Sequence, residues 1–141
     1  MARSSRLTVI ADTGAIYALI DASDAWHERV VEWWEGNRAT VILPTAILAE
    51  VAYLLQTRIG PAAEAGFFQS VVDEEFTVES TDDYSRILAL IREYDDFPLG
   101  YVDASIIATA ESFETRTILT TDRRHFAAIR PRNSRSLELV P

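Results

Sequence analysis

The tightest constraint on the fold of this chain is a set of short β-branched runs, each of which ends abruptly. Residues 7–11 (LTVIA), 40–43 (TVIL) and 117–120 (TILT) are bounded by polar or turn-forming residues. A run of four or five such residues suits a strand covered on both faces, the setting of a parallel sheet. Residues 75–80 (EFTVES) alternate and predict a weaker fourth strand, and 136–140 (SLELV) predict an edge strand. Helical patterns lie between, over 24–35, 44–59, 62–73, 82–95 and 101–114. Asp24 is the expected N-cap of the first and Gly36–Asn37 its stop, while Pro44 is expected at the first helical position of the second, with Gly60–Pro61 as its break. Strands alternating with helices predict an α/β three-layer sandwich, a central parallel sheet of four or five strands flanked by helices.

Length and composition fit that picture. The 141 residues, 48% of them hydrophobic, predict a single domain over 1–141. Within it we expect a polar leader at 1–6, a core over about 7–130 and a C-terminal edge strand or tail at 131–141. The absence of cysteine excludes disulfides, thiolate metal sites and a Cys nucleophile, and fits a reducing compartment. The apolar run behind MARSSR stops at Asp12, too early for the apolar region of a signal peptide, and no stretch reaches the ~20 apolar residues that span a bilayer. A cytoplasmic protein with no membrane partner is expected.

Charge is unevenly spread. The net charge is −9, and all 13 basic residues are arginines. Residues 116–141 hold six arginines against Asp122 and Glu138, or +4, leaving −13 for residues 1–115. An acidic protein repels nucleic acid at long range, but a local arginine patch still holds phosphates. The plainer account of the same patch is a solvated edge.

Four acids stand out by context. Asp12 ends the first strand and Asp122 follows the strand TILTT, so both lie at the carboxyl ends of strands, where open α/β sheets bind ligands. Each also precedes a possible helix, so helix capping explains either one equally well. Glu50 (TAILAEVAYLL) and Asp103 (GYVDASIIATA) fall within helices, sharing faces with Ile47 and Leu54 and with Leu99, Ile106 and Ile107. Acids seldom occupy apolar helix faces unless paired, metal-bound or at an edge open to water. With no lysine and most arginines late in the chain, a salt-bridge network explains the four together poorly. Two carboxylates roughly 5 Å apart at an effective dielectric near 20 repel by about 3 kcal/mol, so convergence demands protons or a cation. Hard oxygen donors with few histidines favour Mg²⁺ or Mn²⁺ over Zn²⁺. Such a site suits phosphodiester hydrolysis. GxxxxGK[ST], GxGxxG and GxSxG motifs are absent, and His27 and His125, in polar helical contexts, read as surface residues rather than bases.

The four segments in order (VIADTGAIYALID, PTAILAEVAYLL, LGYVDASIIATAE and ILTTDRRHF) resemble the PIN-domain ribonucleases, and among them the VapC-type toxins of bacterial toxin–antitoxin pairs. The resemblance runs from residue 7 to about 130. It implies a parallel sheet between helices and an endoribonuclease dependent on Mg²⁺ or Mn²⁺. Asp12 and Asp103 match the principal metal ligands, and Glu50 and Asp122 the other two acids of the catalytic quartet. Thr13 and Thr120 match hydroxyl positions beside the site. Asp96, seven residues before Asp103, also recurs in such sequences, although a helix-start acid is equally explained by the helix dipole. The expected partners are an RNA substrate, a small antitoxin and a second copy in a homodimer. Arg123 and Arg124, next to Asp122, are candidates for holding the RNA backbone, with plain solvent exposure as the simpler account.

Other readings remain at this stage: a stand-alone housekeeping RNase of the same type, or a non-catalytic module binding a metal or partner. Phosphatases of the haloacid dehalogenase type and receiver domains also place aspartates at strand ends, but they need a lysine this chain lacks. The large apolar residues Phe67, Phe68, Trp33 and Trp34 are expected mostly in the core, with any exposed part open to a dimer or antitoxin.

Overall fold

The computed structural model describes residues 6–132 and 136–141; Arg135 and most of the leader lie outside the described residues. Five strands, β1 (Leu7–Ala11), β2 (Ala39–Pro44), β3 (Thr77–Glu79), β4 (Thr117–Leu119) and β5 (Glu138–Val140), form one parallel sheet in the order β3-β2-β1-β4-β5. The described helices are α1 (Thr13–Ile20), α2 (His27–Gly36), α3 (Thr45–Arg58), α4 (Pro61–Val72), α5 (Tyr84–Glu93), α6 (Tyr101–Ser112) and α7 (Arg123–Ala127). The expected α/β sandwich is thus the observed one, with both weak strands at its edges.

The β-branched runs occupy the middle of the sheet for the reason their composition suggests. Val9, Ile10 and Ala11 of β1 and Ile118 and Leu119 of β4 are wholly buried, covered on both faces. Helix α3 contributes Ile47, Val51 and Leu55, a stripe spaced by four residues. Helix α6 is buried from Ala104 to Ala110 and packs against β1, β2, α3 and α5. Phe67 and Phe76 are buried while Phe68 is exposed, and Trp33 and Trp34 lie half-buried against the core. Tyr53, Ile59, Phe68 and Val72 leave apolar surface open along α3 and α4. No helix among the described residues is long and apolar enough to cross a membrane.

Two helix starts differ from expectation. Pro44 does not open α3 as its first residue: it ends β2 in an extended conformation, paired with Glu79, and α3 begins at Thr45. Its locked φ serves the strand exit, where no ladder N–H is needed. Asp24 does not cap α2 directly; its carboxylate accepts the Trp26 N–H at 2.9 Å, making a turn before the helix starts at His27.

The strand order places the functional edge. From β1 the chain builds β2 and β3 on one side, then crosses to build β4 and β5 on the other. The switch between these directions lies between β1 and β4, and a crevice opens at their carboxyl ends. Asp12 leaves one of these strands, and Thr120, Thr121 and Asp122 leave the other.

Candidate active site

The crevice is built from its backbone outward. The Asp12 N–H donates to the Leu119 carbonyl at 2.9 Å, so β1 and β4 stay paired to the last residue before they part. Asp12 then turns into α1 as its N-cap, with Oδ1 accepting the Thr13 N–H at 2.7 Å. Its Oδ2 accepts the hydroxyl of Thr120 at 3.0 Å. Thr120 is fully buried, and its Oγ1 in turn accepts the Asp122 N–H at 2.9 Å. Asp122 caps α7, its Oδ1 accepting the His125 N–H at 3.1 Å. On the far side, Thr13 Oγ1 donates to Glu50 Oε1 at 2.6 Å. The imidazole Nε2 of His125 stands 2.8 Å from Asp103 Oδ2. One unbroken chain of contacts therefore links Glu50, Thr13, Asp12, Thr120, Asp122, His125 and Asp103.

The first turn of α1 and the β4–α7 loop touch directly. A Cβ on Gly14 would lie 2.7 Å from the Thr121 Oγ1, closer than real contacts allow, so glycine is what lets the two approach. The residue is needed for space rather than for an unusual backbone conformation.

The electrostatics record the crowding. Asp12 is pushed up to about 6, chiefly by burial, which the bonds from Thr120 and Thr13 offset in part and the charges of Asp103 and Asp122 reinforce. Asp103 is also raised, first by burial, against the lowering effect of His125, and further by Asp122 and Glu50. Yet among the described residues no group of three or more His, Asp or Glu side chains is already arranged to hold a metal ion. Glu50 is turned to Thr13, and Asp103 to His125. The donor set itself is of hard oxygens with no sulfur, the kind that suits Mg²⁺ or Mn²⁺.

Several expectations change against this geometry. The choice between capping and a site role at Asp12 and Asp122 dissolves, since both residues cap helices and both line the crevice. Glu50 does not sit on a buried apolar face: it is exposed at the edge of α3, where its one contact with the crevice is Thr13. Asp103 is in the first turn of α6, a position the helix dipole favours for an acid. Asp96 is exposed in the turn between α5 and α6, outside the first turn of α6, so the helix dipole does not account for it. Neither histidine is simply a surface residue. His27 is half-buried with Nδ1 at 2.7 Å from the Ala18 carbonyl, and His125 joins the crevice. Its place three residues after a capping Asp accounts for the bond of its backbone N–H to Asp122 but not for the direction of its imidazole.

Of the two arginines proposed for RNA, Arg123 donates to the carbonyls of Pro141 at 2.5 Å and Leu139 at 3.4 Å, tying α7 to the β5 end. Arg124 is exposed and makes no side-chain hydrogen bond or ion pair among the described residues.

Comparison with known proteins places the same stretch of chain. Residues 9–130 match the family described as the PIN domain. The chain is 30% identical over 135 residues to the protein named Ribonuclease VapC26 of Mycobacterium tuberculosis, covering 94% of this chain and all of that one. Among solved structures, VapC20 of M. tuberculosis, described as a sarcin-ricin loop cleaving toxin, superposes with a TM-score of 0.76 at 21% identity, over 94% of this chain and 99% of that one. A toxin–antitoxin complex from Klebsiella pneumoniae gives 0.65 at 20% identity, over 86% and 92%.

Proposed function

Since the chain belongs to the PIN-domain family, we propose that it is a metal-dependent endoribonuclease, the toxin of a toxin–antitoxin pair, acting through Asp12, Glu50, Asp103 and Asp122. The observation that carries this reading is the continuous contact chain, which links all four acids at the switch point with no arginine paired to any of them among the described residues. Burial first, and the neighbouring acids second, raise the pKa values of Asp12 and Asp103, and both costs favour taking up a cation. Asp12 and Asp103 would be its main holders, and Glu50 and Asp122 would complete the set. Held by these carboxylates, Mg²⁺ or Mn²⁺ would supply the Lewis acidity that phosphodiester hydrolysis needs, for the attacking water and for the leaving oxygen.

The protein's own residues prepare that site. Thr120 and the Thr13 N–H fix both oxygens of Asp12, so the carboxylate is oriented before any ligand arrives. Thr13 holds Glu50 at the rim. Arg124, unengaged and next to Asp122, is placed to meet the RNA backbone. For the partners, the name of the M. tuberculosis relative and the Klebsiella complex support a cognate antitoxin, and the open apolar surface along α3 and α4 offers area for it or for a second copy.

The test is cleavage of a mixed-sequence RNA by the purified chain with Mg²⁺ or Mn²⁺. Activity that disappears with EDTA and in Asp12→Asn and Asp103→Asn is the expected result. Cleavage that persists in either variant, or without divalent metal, removes the quartet from the mechanism. Sedimentation as a compact monomer at micromolar concentration would sink the homodimer. A neighbouring reading frame with no small DNA-binding protein would favour a housekeeping role over a toxin.

A further inference from the structure

His125 is the crevice side chain that the proposed chemistry leaves without a task. It sits in α7 three residues after Asp122, and its two ends touch two different acids. The main-chain N–H donates to Asp122 Oδ1 at 3.1 Å, and Nε2 lies 2.8 Å from Asp103 Oδ2. Two aromatic rings pack against the imidazole: Phe97 lies tilted over it at 4.8 Å and 33°, and Phe126 meets it edge-on at 5.7 Å and 77°. Phe126 is itself wholly buried, which anchors the contact in the core. Nε2 is buried and has no aligned hydrogen-bond partner among the described residues, although Asp103 is within reach. A buried ring nitrogen held this close to an acid needs only a small rotation of the carboxylate to bond it.

Resting on the function proposed above, we infer that His125 is a positioning residue whose Nε2–H holds Oδ2 of Asp103, presenting Oδ1 to the cation. Carboxylates that bind metals are in turn fixed by hydrogen-bonding neighbours, as Thr120 and the Thr13 N–H fix Asp12. Asp103 has no other side-chain partner among the described residues, so without His125 its carboxylate is free to swing. A purely structural ion pair accounts for the arrangement less well. Such a pair joins the other end of α6 to α5, where Arg86 grips both oxygens of Glu111 at 2.7 and 2.8 Å. His125 offers Asp103 one atom only, leaving the other oxygen open. The Phe97 ring holds an imidazole that points at the acids rather than one that fills the core.

The experiment is Mn²⁺ titration of the full chain followed by electron paramagnetic resonance, with metal-free thermal melting alongside. His125→Ala keeps the backbone bond to Asp122 and is expected to weaken Mn²⁺ binding by about tenfold or more. His125→Gln, whose amide N–H reaches to where Nε2 stands, is expected to recover most of that loss. Phe97→Leu keeps the imidazole but loosens it, and is expected to fall between wild type and His125→Ala; it carries the test if His125→Ala does not fold. A His125→Ala variant that binds Mn²⁺ within about twofold of wild type, while Asp12→Asn abolishes binding, overturns the positioning role and leaves the nuclease reading standing. Nitrogen hyperfine coupling on wild-type Mn²⁺, lost in His125→Ala, would make the imidazole a ligand and also overturn it. A wild-type chain that binds no Mn²⁺ overturns both.

Discussion

Helix α6 carries Asp103 in its first turn and Glu111 in its last, about 12 Å apart along the axis. The two carboxyls sit in opposite company. At Glu111, burial works against ionisation, but bonds from Arg86 and the Arg132 N–H, with the charge of Arg86, hold the group below its usual range. At Asp103, burial works the same way and only His125 opposes it, while Asp122 and Glu50 push the group further up. One acid is matched by a cation of the chain itself. The other faces two further acids, with one imidazole and no arginine against it among the described residues. Burial and helix are shared, so the neighbours alone separate a structural carboxylate from one that awaits a partner.

If this contrast is sound, removing an acid should have opposite effects in the two places. The largest change is expected at the structural end. Glu111→Ala leaves a guanidinium that is only 13% exposed without its partner, and should cost about 3 kcal/mol or more in urea unfolding. A loss below about 1 kcal/mol would put the pair with ordinary surface salt bridges.

At the other end, Asp12→Asn should stabilise the metal-free protein at neutral pH, by up to about 3 kcal/mol, because the folded state no longer holds a buried charge beside other acids. The sign follows from the protonation states. The folded carboxyl keeps its proton up to about 6 while the unfolded one releases it near 3.8, so between these values the folded state binds more protons. Wild-type stability should therefore fall as pH rises through that window and level off above it. Asp12→Asn should lack this fall, and the two proteins should converge at low pH. Unfolding curves at several pH values in EDTA check this; equal slopes in both proteins would mean Asp12 is not crowded. Added Mn²⁺ should reverse the order, stabilising wild type by about 4.1 kcal/mol at a thousand times its Kd and leaving the variant unmoved.

These contrasts also mark what could be read from the sequence. The buried strands were legible because LTVIA and TILT lack polar alternation, and Asp12 and Asp122 because each stands where such a run stops. Asp103 and Glu50 are legible as acids among apolar neighbours, but Glu50 is exposed: periodicity locates a face and not how far it reaches into the core. Contacts between distant segments were out of reach. Nothing local to ESFE says that Glu111 meets Arg86, 25 residues earlier, and nothing in TDRRHF says that His125 turns towards Asp103. Such pairings depend on strand order, and short apolar runs do not encode which strand lies beside which.

The closeness of α1 to the β4–α7 loop gives a smaller test of the same crevice. Gly14→Ala places a methyl against Thr121 Oγ1 and should cost about 1–2 kcal/mol as an overpacked contact. Because the displaced loop carries Thr120 and Asp122, Mn²⁺ binding should weaken as well. Thr121→Ala removes the opposing atom, so the double variant should recover both stability and metal binding. If it recovers neither, the two segments are not coupled through this contact.

The smallest effects are expected from the neighbouring arginines, where the contrast between engaged and unengaged groups recurs. Arg123 is occupied by main-chain carbonyls at the β5 end, so Arg123→Ala should cost stability by about 1 kcal/mol or less, with little change in how RNA binding depends on salt. Arg124 is exposed and unengaged among the described residues. Arg124→Ala should leave stability alone but reduce the slope of log affinity against log salt by about 0.7, the value for one contact to a single-stranded phosphate. Binding measured by anisotropy in Ca²⁺ rather than Mg²⁺ would separate affinity from cleavage. Equal slopes for wild type and Arg124→Ala would remove Arg124 from the RNA path, and a changed slope for Arg123→Ala would mean that its carbonyl contacts yield to the phosphate.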